Sequence, residues 1–294
     1  LLPGPLASLF LAETGAEVIK IEKPDVGDEI RLSNPQWGEQ SVSFSLLNRG
    51  KKSLSLDLKD PKNLKILIPI LKEADIIIEQ FRPGVMKRLG LDYDSIKKIN
   101  QDIIYISITG YGQYGPKSMV AGHDLNYIGN AGLLSISMGR ENDTVVPPAL
   151  VADIAGGSYP AVINILLALR KRDLNKEGSY IDLSMTENLF PFMFWGLGSG
   201  FAHNKWPGNS DGVLSGGSAR YNIYITFSVM PVVVGSIQVS FMFACVGLES
   251  PVHVRQIQRA ICRQSHPQEG TLYCVEAYTI GRSYQGTKFL GLFC

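Results

Sequence analysis

Two side chains capable of acid–base chemistry, His123 and Asp153, stand out in this sequence. His123 lies in residues 122–127, which read Gly-His-Asp-Leu-Asn-Tyr, and Asp153 lies in Val-Ala-Asp-Ile-Ala-Gly-Gly. Each is placed at the start of a predicted helix, so the two could face one another across a substrate carbon. A base on one face of a carbon and an acid on the other are what two-base proton transfer requires. A helix cap or a surface pair is the alternative interpretation of the His-Asp sequence.

Basic residues recur where predicted strands end. Lys23 follows Val-Ile-Lys-Ile-Glu, Lys59 follows Ser-Leu-Asp-Leu, and Arg82 and Arg88 flank Pro-Gly-Val-Met-Lys. Open α/β sheets bind ligands outside the carboxyl ends of their strands, and cations there can hold phosphates. A solvated surface is the ordinary explanation for any single lysine, but several basic residues after strands together favour a small molecule that carries phosphate.

Helical and strand patterns alternate up to about residue 226. Asp60-Pro61 is typical of a helix start, because the backbone N–H that proline lacks would have no helical partner at the first position. This alternation predicts an α/β layer with a parallel sheet. The predicted helices are 6–14, 61–73, 83–89, 93–99, 153–171 and a buried one at 181–197; the predicted strands are 17–22, 75–79 and 103–109.

The segment Gly110-Tyr-Gly-Gln-Tyr-Gly115 matches a dinucleotide-binding pattern but lacks its context. That pattern needs a helix to begin within it, so that amides point at a pyrophosphate. Here Pro116 follows directly, and no acidic residue stands about twenty positions further on. We therefore expect a tight turn above the sheet and no NAD site.

Composition excludes several classes of function. The 294 residues are 45% hydrophobic and 19% charged with a net charge of +1, which is ordinary for a globular protein and gives no electrostatic reason to expect a nucleic-acid partner. Residues 229–248 carry no charge, but proline, glycine and polar residues interrupt them, and we expect no membrane span. The cysteines lie at positions 245, 262, 274 and 294 in no zinc-like spacing, and we expect no metal site.

The chain resembles the superfamily of family III CoA-transferases and α-methylacyl-CoA racemases over roughly residues 2–226. The resemblance rests on Leu-Ala-Glu-Thr-Gly-Ala-Glu-Val-Ile-Lys-Ile-Glu-Lys-Pro, Asn-Arg-Gly-Lys-Lys-Ser-Leu-Ser-Leu-Asp-Leu-Lys, Phe-Arg-Pro-Gly-Val-Met-Lys-Arg-Leu-Gly-Leu, Ser-Ile-Thr-Gly-Tyr-Gly-Gln-Tyr-Gly-Pro and Ala-Gly-His-Asp-Leu-Asn-Tyr. It implies a Rossmann-like parallel-sheet large domain with a partial second, smaller domain. We place the large domain at residues 1–190, a linker and partial small domain at 191–249, and a divergent tail at 250–294.

The resemblance also implies the chemistry. Transferases of the superfamily use the aspartate matching Asp153 as a nucleophile that forms an acyl anhydride, whereas racemases pair it with the histidine matching His123. The histidine favours a racemase that inverts the α-carbon of 2-methylacyl-CoA thioesters through an enolate, with no metal and no redox cofactor. Amides at the helix start near Asp153 could stabilise the enolate oxygen. A family III CoA-transferase is the alternative.

The resemblance further assigns contacts with CoA or substrate. They fall on Lys23, Leu56, Asp57, Leu58, Lys59, Arg88, Gly122, Asp124, Leu125, Asn126 and Tyr127. It also implies an interlocked homodimer and a mitochondrial or peroxisomal location.

Two departures from the superfamily pattern give a third hypothesis. Gln238 stands where a glutamate would orient the histidine, and we recognise no superfamily pattern in the residues after about 250. The chain also opens in mid-pattern at Leu1, so we expect the first strand of the sheet to be missing and a gap in its core. An inactive homologue that binds acyl-CoA would fit these features.

Overall fold

The structure is a computed structural model that describes residues 2–137, 139–140, 143–212, 215, 217, 221–225, 231–237, 240–245 and 288–292. The chain divides into two compact units. One comprises Leu1–Leu134, Val146–Phe194 and Ser283–Cys294, and the other comprises Ser135–Val145 and Trp195–Arg282. The domain boundaries drawn from the sequence at residues 190 and 249 stay predictions.

The strands are short and widely spaced along the sequence. They are β1 Glu17–Glu22, β2 Gln36–Trp37, β3 Gln40–Ser41, β4 Lys52–Ser55, β5 Ile76–Glu79, β6 Ile104–Thr109, β7 Gly139–Arg140, β8 Asp143–Thr144, β9 Ser179–Ser184, β10 Tyr221–Ile225, β11 Pro231–Ile237, β12 Ser240–Cys245 and β13 Lys288–Leu292.

Helices separate most of these strands. They are α1 Pro3–Glu13, α2 Val42–Asn48, α3 Pro61–Glu73, α4 Val85–Arg88, α5 Tyr93–Lys97, α6 Asp124–Ala131, α7 Leu134–Ser137, α8 Tyr159–Asn175 and α9 Phe194–His203, with 3-10 helices at Glu29–Leu32 and Glu187–Met193 and a π-helix at Ala152–Ser158.

A six-stranded sheet forms the centre of the first unit among the described residues. Its order is β4-β1-β13-β5-β6-β9, and every neighbouring pair is parallel. Strands β5 and β6 are buried along their whole length, as expected for central strands covered on both faces. The predicted α/β architecture is confirmed.

Helix α3 shows how the local sequence sets these elements. Asp60 accepts a hydrogen bond from the backbone N–H of Lys62 at 2.9 Å, and Pro61 occupies the first turn. Leu67 and Leu71 of the helix are almost fully buried and belong to one core cluster with Ile77. The helix thus covers one face of the sheet, and its predicted bounds are confirmed.

Strand β13 fills the place where the sequence led us to expect a gap. Its residue Leu290 is in register with Ile19 of β1 and with Ile77 of β5. The five-residue strand comes from the end of the sequence, where we found no periodicity. The expectation of a gap in the sheet was therefore wrong, because β13 lies between β1 and β5.

The predicted helix at 181–197 was also wrong. Residues Ser179–Ser184 form β9, which pairs with β6, and a 3-10 helix at Glu187–Met193 contains Pro191 before α9 begins. An apolar run of this kind fits a buried strand as well as a helix, so periodicity alone cannot distinguish them. The pairing partner β6 decides the outcome.

The uncharged stretch at 229–248 includes β11 and β12, which pair antiparallel within the second unit, with β10 on the other side of β11.

Elsewhere in the described residues one helix, Ala152–Asn175, is long and apolar enough to cross a bilayer. Of the 18 residues that form the most apolar part of this helix, 44% are buried inside the protein. A core helix passes the same test, so this is weak evidence for a membrane.

Candidate active site

His123 lies immediately before α6, at its N-cap position. Its backbone is extended, with φ −128° and ψ 177°. Its N–H donates to Oδ1 of Asn126 at 3.0 Å, and its carbonyl accepts from the Asn126 N–H at 2.8 Å. These two bonds fix the backbone of His123 and leave the residue exposed. The predicted position at a helix start is confirmed.

Asp124 connects this helix to the segment that carries Asp153. It is 7% exposed, and its Oδ1 accepts the backbone N–H of Asp153 at 2.9 Å. The carboxylate of Asp124 therefore faces the Asp153 backbone. The start of α6, with His123, and the start of the π-helix, with Asp153, meet at this hydrogen bond.

Asp153 is half-buried in the first turn of the π-helix Ala152–Ser158. Burial raises its pKa to about 6, and the negative charge of Asp124 acts in the same direction, while the charge of His123 acts to lower it. Because the hydrogen bond from the Asp153 N–H to Asp124 joins the two helix starts, His123 and Asp153 lie on segments that meet. A carboxyl group with a pKa near 6 can exchange a proton close to neutral pH.

The amides at this helix start already have partners. The N–H of Asp153 donates to Asp124, and the N–H of Ile154 donates to the carbonyl of Leu150 at 3.0 Å. These two amides therefore donate within the protein. That amides at this helix start stabilise an enolate oxygen stays a prediction.

Tyr127, on the first turn of α6 after His123, is buried. Its hydroxyl donates to the carbonyl of Gly122, and its ring lies so close to Gly110 that a Cβ there would overlap it. Burial, followed by the charge of Asp153, raises the pKa of Tyr127 to about 12. The hydroxyl therefore stays protonated and acts as a hydrogen-bond donor.

The Gly110–Gly115 segment is a turn, as the sequence indicated. Gly112 and Gly115 have φ of +83° and +93°, a conformation that glycine adopts readily. The N–H of Gln113 donates to both carboxylate oxygens of Asp182, at 3.1 and 3.0 Å. No helix begins within this turn, and the next described helix starts at Asp124.

A network of hydrogen bonds to the buried carboxylate of Glu22 holds the loop that carries Lys23. Glu22 accepts from Arg31 at 2.7 and 2.8 Å, from the N–H of Asp28 at 2.9 Å, and from Ser53 at 2.7 Å. Burial alone would raise the pKa of Glu22, but these donors and the charge of Arg31 hold it at about 2. The carboxylate stays ionised, and the loop after β1 is fixed against β4.

Some of the residues assigned to CoA follow the neighbouring strands β1 and β4. Lys23 follows β1, is exposed and pairs with Glu29 at 3.2 Å, while Leu56 follows β4 and is 7% exposed. Asp57 accepts from the N–H of Lys59 at 2.9 Å in a short turn. Because β1 and β4 are parallel neighbours, their carboxyl ends lie side by side.

The remaining assigned residues lie near α4 and α6. Arg88 is the last residue of α4 and is exposed, Leu125 is 45% exposed on α6, and Leu58 packs against the core cluster of the sheet. Gln238 lies outside the described residues. What these residues bind stays a prediction.

A cavity of about 350 Å³ is lined by residues of β5, β6 and β9 and by the segments that follow β5 and β6. Glu79, Tyr105 and Ser107 line its floor, and Arg82 and Gln113 are among its walls. Burial raises the pKa of Glu79 to about 7. Neither His123 nor Asp153 lines this cavity.

Sequence reasoning missed the role of two side chains. Asp124 was assigned to substrate but accepts the Asp153 backbone, and Asn188, to which no role was given, donates to the Gly156 carbonyl at 3.0 Å. The Gly-Gly pair after Asp153 was the available signal, since glycines in a helix often mark a close approach of other backbone.

The comparisons with known proteins agree with this fold. Residues 1–267 match the model of CoA-transferase family III, and the chain belongs to that family. A solved CaiB/BaiF family protein from Brucella suis has a TM-score of 0.71 at 30% identity, over 80% of this chain and 62% of that one.

Curated relatives carry two kinds of name. The chain is 36% identical over 207 residues to an acetyl-CoA:oxalate CoA-transferase of Acetobacter aceti, which covers 70% of this chain and 53% of the relative. It is 35% identical over 257 residues to the mouse α-methylacyl-CoA racemase, which covers 85% of this chain and 62% of the relative. The chain thus spans little more than half the length of these relatives.

Proposed function

We propose that this chain is part of an enzyme that inverts the α-carbon of 2-methylacyl-CoA thioesters by two-base proton transfer. The observation that carries the proposal is the hydrogen bond from the Asp153 N–H to Asp124, which brings together the helix starts that carry His123 and Asp153. Burial at this junction raises the pKa of Asp153 to about 6. The long alignment with a racemase supports it further.

In the proposed reaction one side chain removes the proton from the α-carbon, and the C–H electron pair moves into the carbonyl to give an enolate. The second side chain then returns a proton to the opposite face, and the enolate collapses to the thioester. The two roles exchange with the configuration of the substrate. Such catalysis is most effective when both groups titrate near the working pH.

The proposal names an acyl-CoA thioester as substrate, with no metal and no redox cofactor, because the step transfers only protons. The exposed cations Lys23, Lys59 and Arg88 would meet the phosphates of CoA. An interlocked homodimer and a mitochondrial or peroxisomal location stay predictions.

Solvent exchange tests the proposal directly. The protein is incubated with 2-methylacyl-CoA in deuterated water, and label at the α-carbon is followed by mass spectrometry. We expect incorporation that is lost in His123→Ala and in Asp153→Asn. His203→Ala, which removes an exposed imidazole on α9, is the matched control and should retain exchange.

A CoA-transferase is the second candidate, and the named transferase relative favours it. Here the Asp153 carboxylate would attack the thioester carbonyl, and the C–S bond would break to release CoA as thiolate. An acyl-aspartyl anhydride would remain on the protein. Trapping with hydroxylamine should then convert Asp153 to a hydroxamate of defined mass.

The two experiments separate three outcomes. Exchange without a trapped adduct supports the racemase, and an adduct without exchange overturns it in favour of the transferase. CoA binding with neither signal would overturn both and support an inactive homologue that binds acyl-CoA.

A further inference from the structure

The π-helix Ala152–Ser158 is an unusual feature at the candidate site. π-helical turns are rare and place one more residue in each turn than an α-helix does. Asp153 lies in the first turn of this segment, and the regular helix α8 follows it directly. The direction of the Asp153 carboxyl group therefore depends on whether the wider turn is maintained.

Close packing surrounds the wide turn. A Cβ added at Gly156 would overlap the carbonyl of Met185, and one added at Gly157 would lie 2.9 Å from Cβ of Pro3. The glycines thus let the loop after β9 and the start of α1 approach the helix backbone.

Two side chains donate to carbonyls of this turn. Nδ2 of Asn188 donates to the carbonyl of Gly156 at 3.0 Å. Oγ of Ser158, which is fully buried, lies 3.1 Å from the carbonyl of Asp153 and 3.0 Å from that of Pro3. These contacts satisfy carbonyls where the regular α-helical bonding pattern is interrupted.

The residue that precedes the 3-10 helix of Asn188 also contacts the other half of the site. Thr186 donates to the carbonyl of Gly110 through its hydroxyl at 2.7 Å and through its N–H at 3.0 Å. Gly110 in turn packs under the ring of Tyr127. Residues 185–188 therefore brace the π-helix and the turn beneath α6 together.

We propose that Asn188 is a positioning residue that maintains the π-turn and so directs the carboxyl group of Asp153 toward the reacting carbon. This inference rests on the proposed function for its catalytic consequence. If the turn relaxed to α-helix, loss of one residue from the turn would rotate Asp153 about the helix axis by roughly 100°, since an α-helix has 3.6 residues per turn. Asp153 would then leave its half-buried position beside Asp124.

The test compares Asn188→Ala with Asn164→Ala. Asn164 is the matched control, because its side chain donates to the carbonyl of Pro160 at 2.8 Å within the α-helical part of the same helix. The first readout is the titration of the Asp153 carboxyl carbon by NMR in protein labelled with ¹³C-aspartate, assigned with Asp153→Asn. The second is α-proton exchange, measured as kcat and KM.

We expect Asn188→Ala to move the Asp153 titration to lower pH, because burial of the carboxyl is lost. It should also reduce kcat by about ten- to a hundredfold with KM little changed, in line with the cost of small misplacements of a catalytic group. Asn164→Ala should change neither readout. Ser158→Ala is a second variant, in case Asn188→Ala does not fold, and should shift the titration in the same direction.

An Asp153 titration that is the same in wild type, Asn188→Ala and Ser158→Ala would overturn the inference. The titration needs no turnover, so it reports on Asn188 even if the wild-type protein shows no exchange. Absence of exchange in wild type would count against the proposed function, and an unmoved titration would count against the positioning role.

Discussion

At the scale of the residue, the buried Asp124 and the half-buried Asp153 meet at the candidate site. A lone aspartate on a surface is a weak base at neutral pH, since it normally titrates near 4. Here burial, and then the charge of Asp124, bring the pKa of Asp153 to about 6. The carboxylate that joins the two helices through the Asp153 N–H thus also raises the proton affinity of the candidate base.

Replacing Asp124 by asparagine tests this coupling. The amide side chain of the variant Asp124→Asn would keep an oxygen to accept the Asp153 N–H but would carry no charge. We expect the acidic limb of the pH–rate profile to move to lower pH by up to about one unit, while burial keeps it above the value of an exposed aspartate. The α-exchange rate measured between pH 4 and 8 gives the result, and an unmoved limb would contradict the electrostatic account.

At the scale of the element, the carboxyl end of β5 holds a second carboxyl group with a raised pKa, away from His123 and Asp153. Glu79 ends β5, is 2% exposed and accepts the N–H of Phe81 at 2.8 Å. Burial is the largest cause that raises its pKa to about 7; hydrogen bonds from Ser107 and Phe81 oppose it, and the charge of Asp182 adds to it. The folded state therefore holds a proton on Glu79 that an unfolded chain would release.

This difference predicts a pH dependence of stability. Because the folded pKa lies above the usual value of 4.5, the contribution of Glu79 is most favourable below about pH 4.5 and is lost as pH rises through about 7. Between pH 5 and 8 the free energy of unfolding of the wild type should fall by on the order of 2 kcal/mol more than that of Glu79→Gln, whose side chain does not titrate. Urea unfolding at pH 5 and at pH 8 measures the free energy of unfolding, with Asp94→Asn, at an exposed position, as control. If this free energy changes by the same amount between the two pH values in all three proteins, the assignment is refuted.

At the scale of the whole molecule, the central sheet of the first unit depends on a strand from the far end of the sequence. β13 lies between β1 and β5, so the two halves of the sheet are joined only through it among the described strands. Central strands pair on both edges, and their loss breaks two ladders of backbone hydrogen bonds. Residues 288–292 should therefore contribute strongly to the stability of the unit that holds the candidate site.

Removal of this strand gives a testable outcome. A chain ending at residue 282 should lose cooperative unfolding of the first unit, as followed by urea titration and circular dichroism. A synthetic peptide of residues 283–294 added in trans should restore it, whereas a peptide of the same composition in scrambled order should not. Unchanged unfolding of the shortened chain would show that β13 is dispensable.

The sequence alone determined the elements whose signals are local. Asp60-Pro61 marked the start of α3, and the β-branched run before Gly110 marked β6 to within a residue. The position of His123 at a helix start and the turn at residues 110–115 followed in the same way. In each case neighbouring residues supply both the cap and the pattern, so no distant contact is needed to specify the element.

Only the tertiary structure decided the rest. Residues 288–292 form a central strand because they pair with β1 on one side and with β5 on the other. Residues 179–184 form a strand because they pair with β6. Likewise, the raised pKa of Asp153 and the π-turn beneath it arise from Asp124, Met185 and Asn188, which are distant along the chain. Burial and backbone pairing are properties of what surrounds a residue in space, and a local pattern of residue types does not contain them.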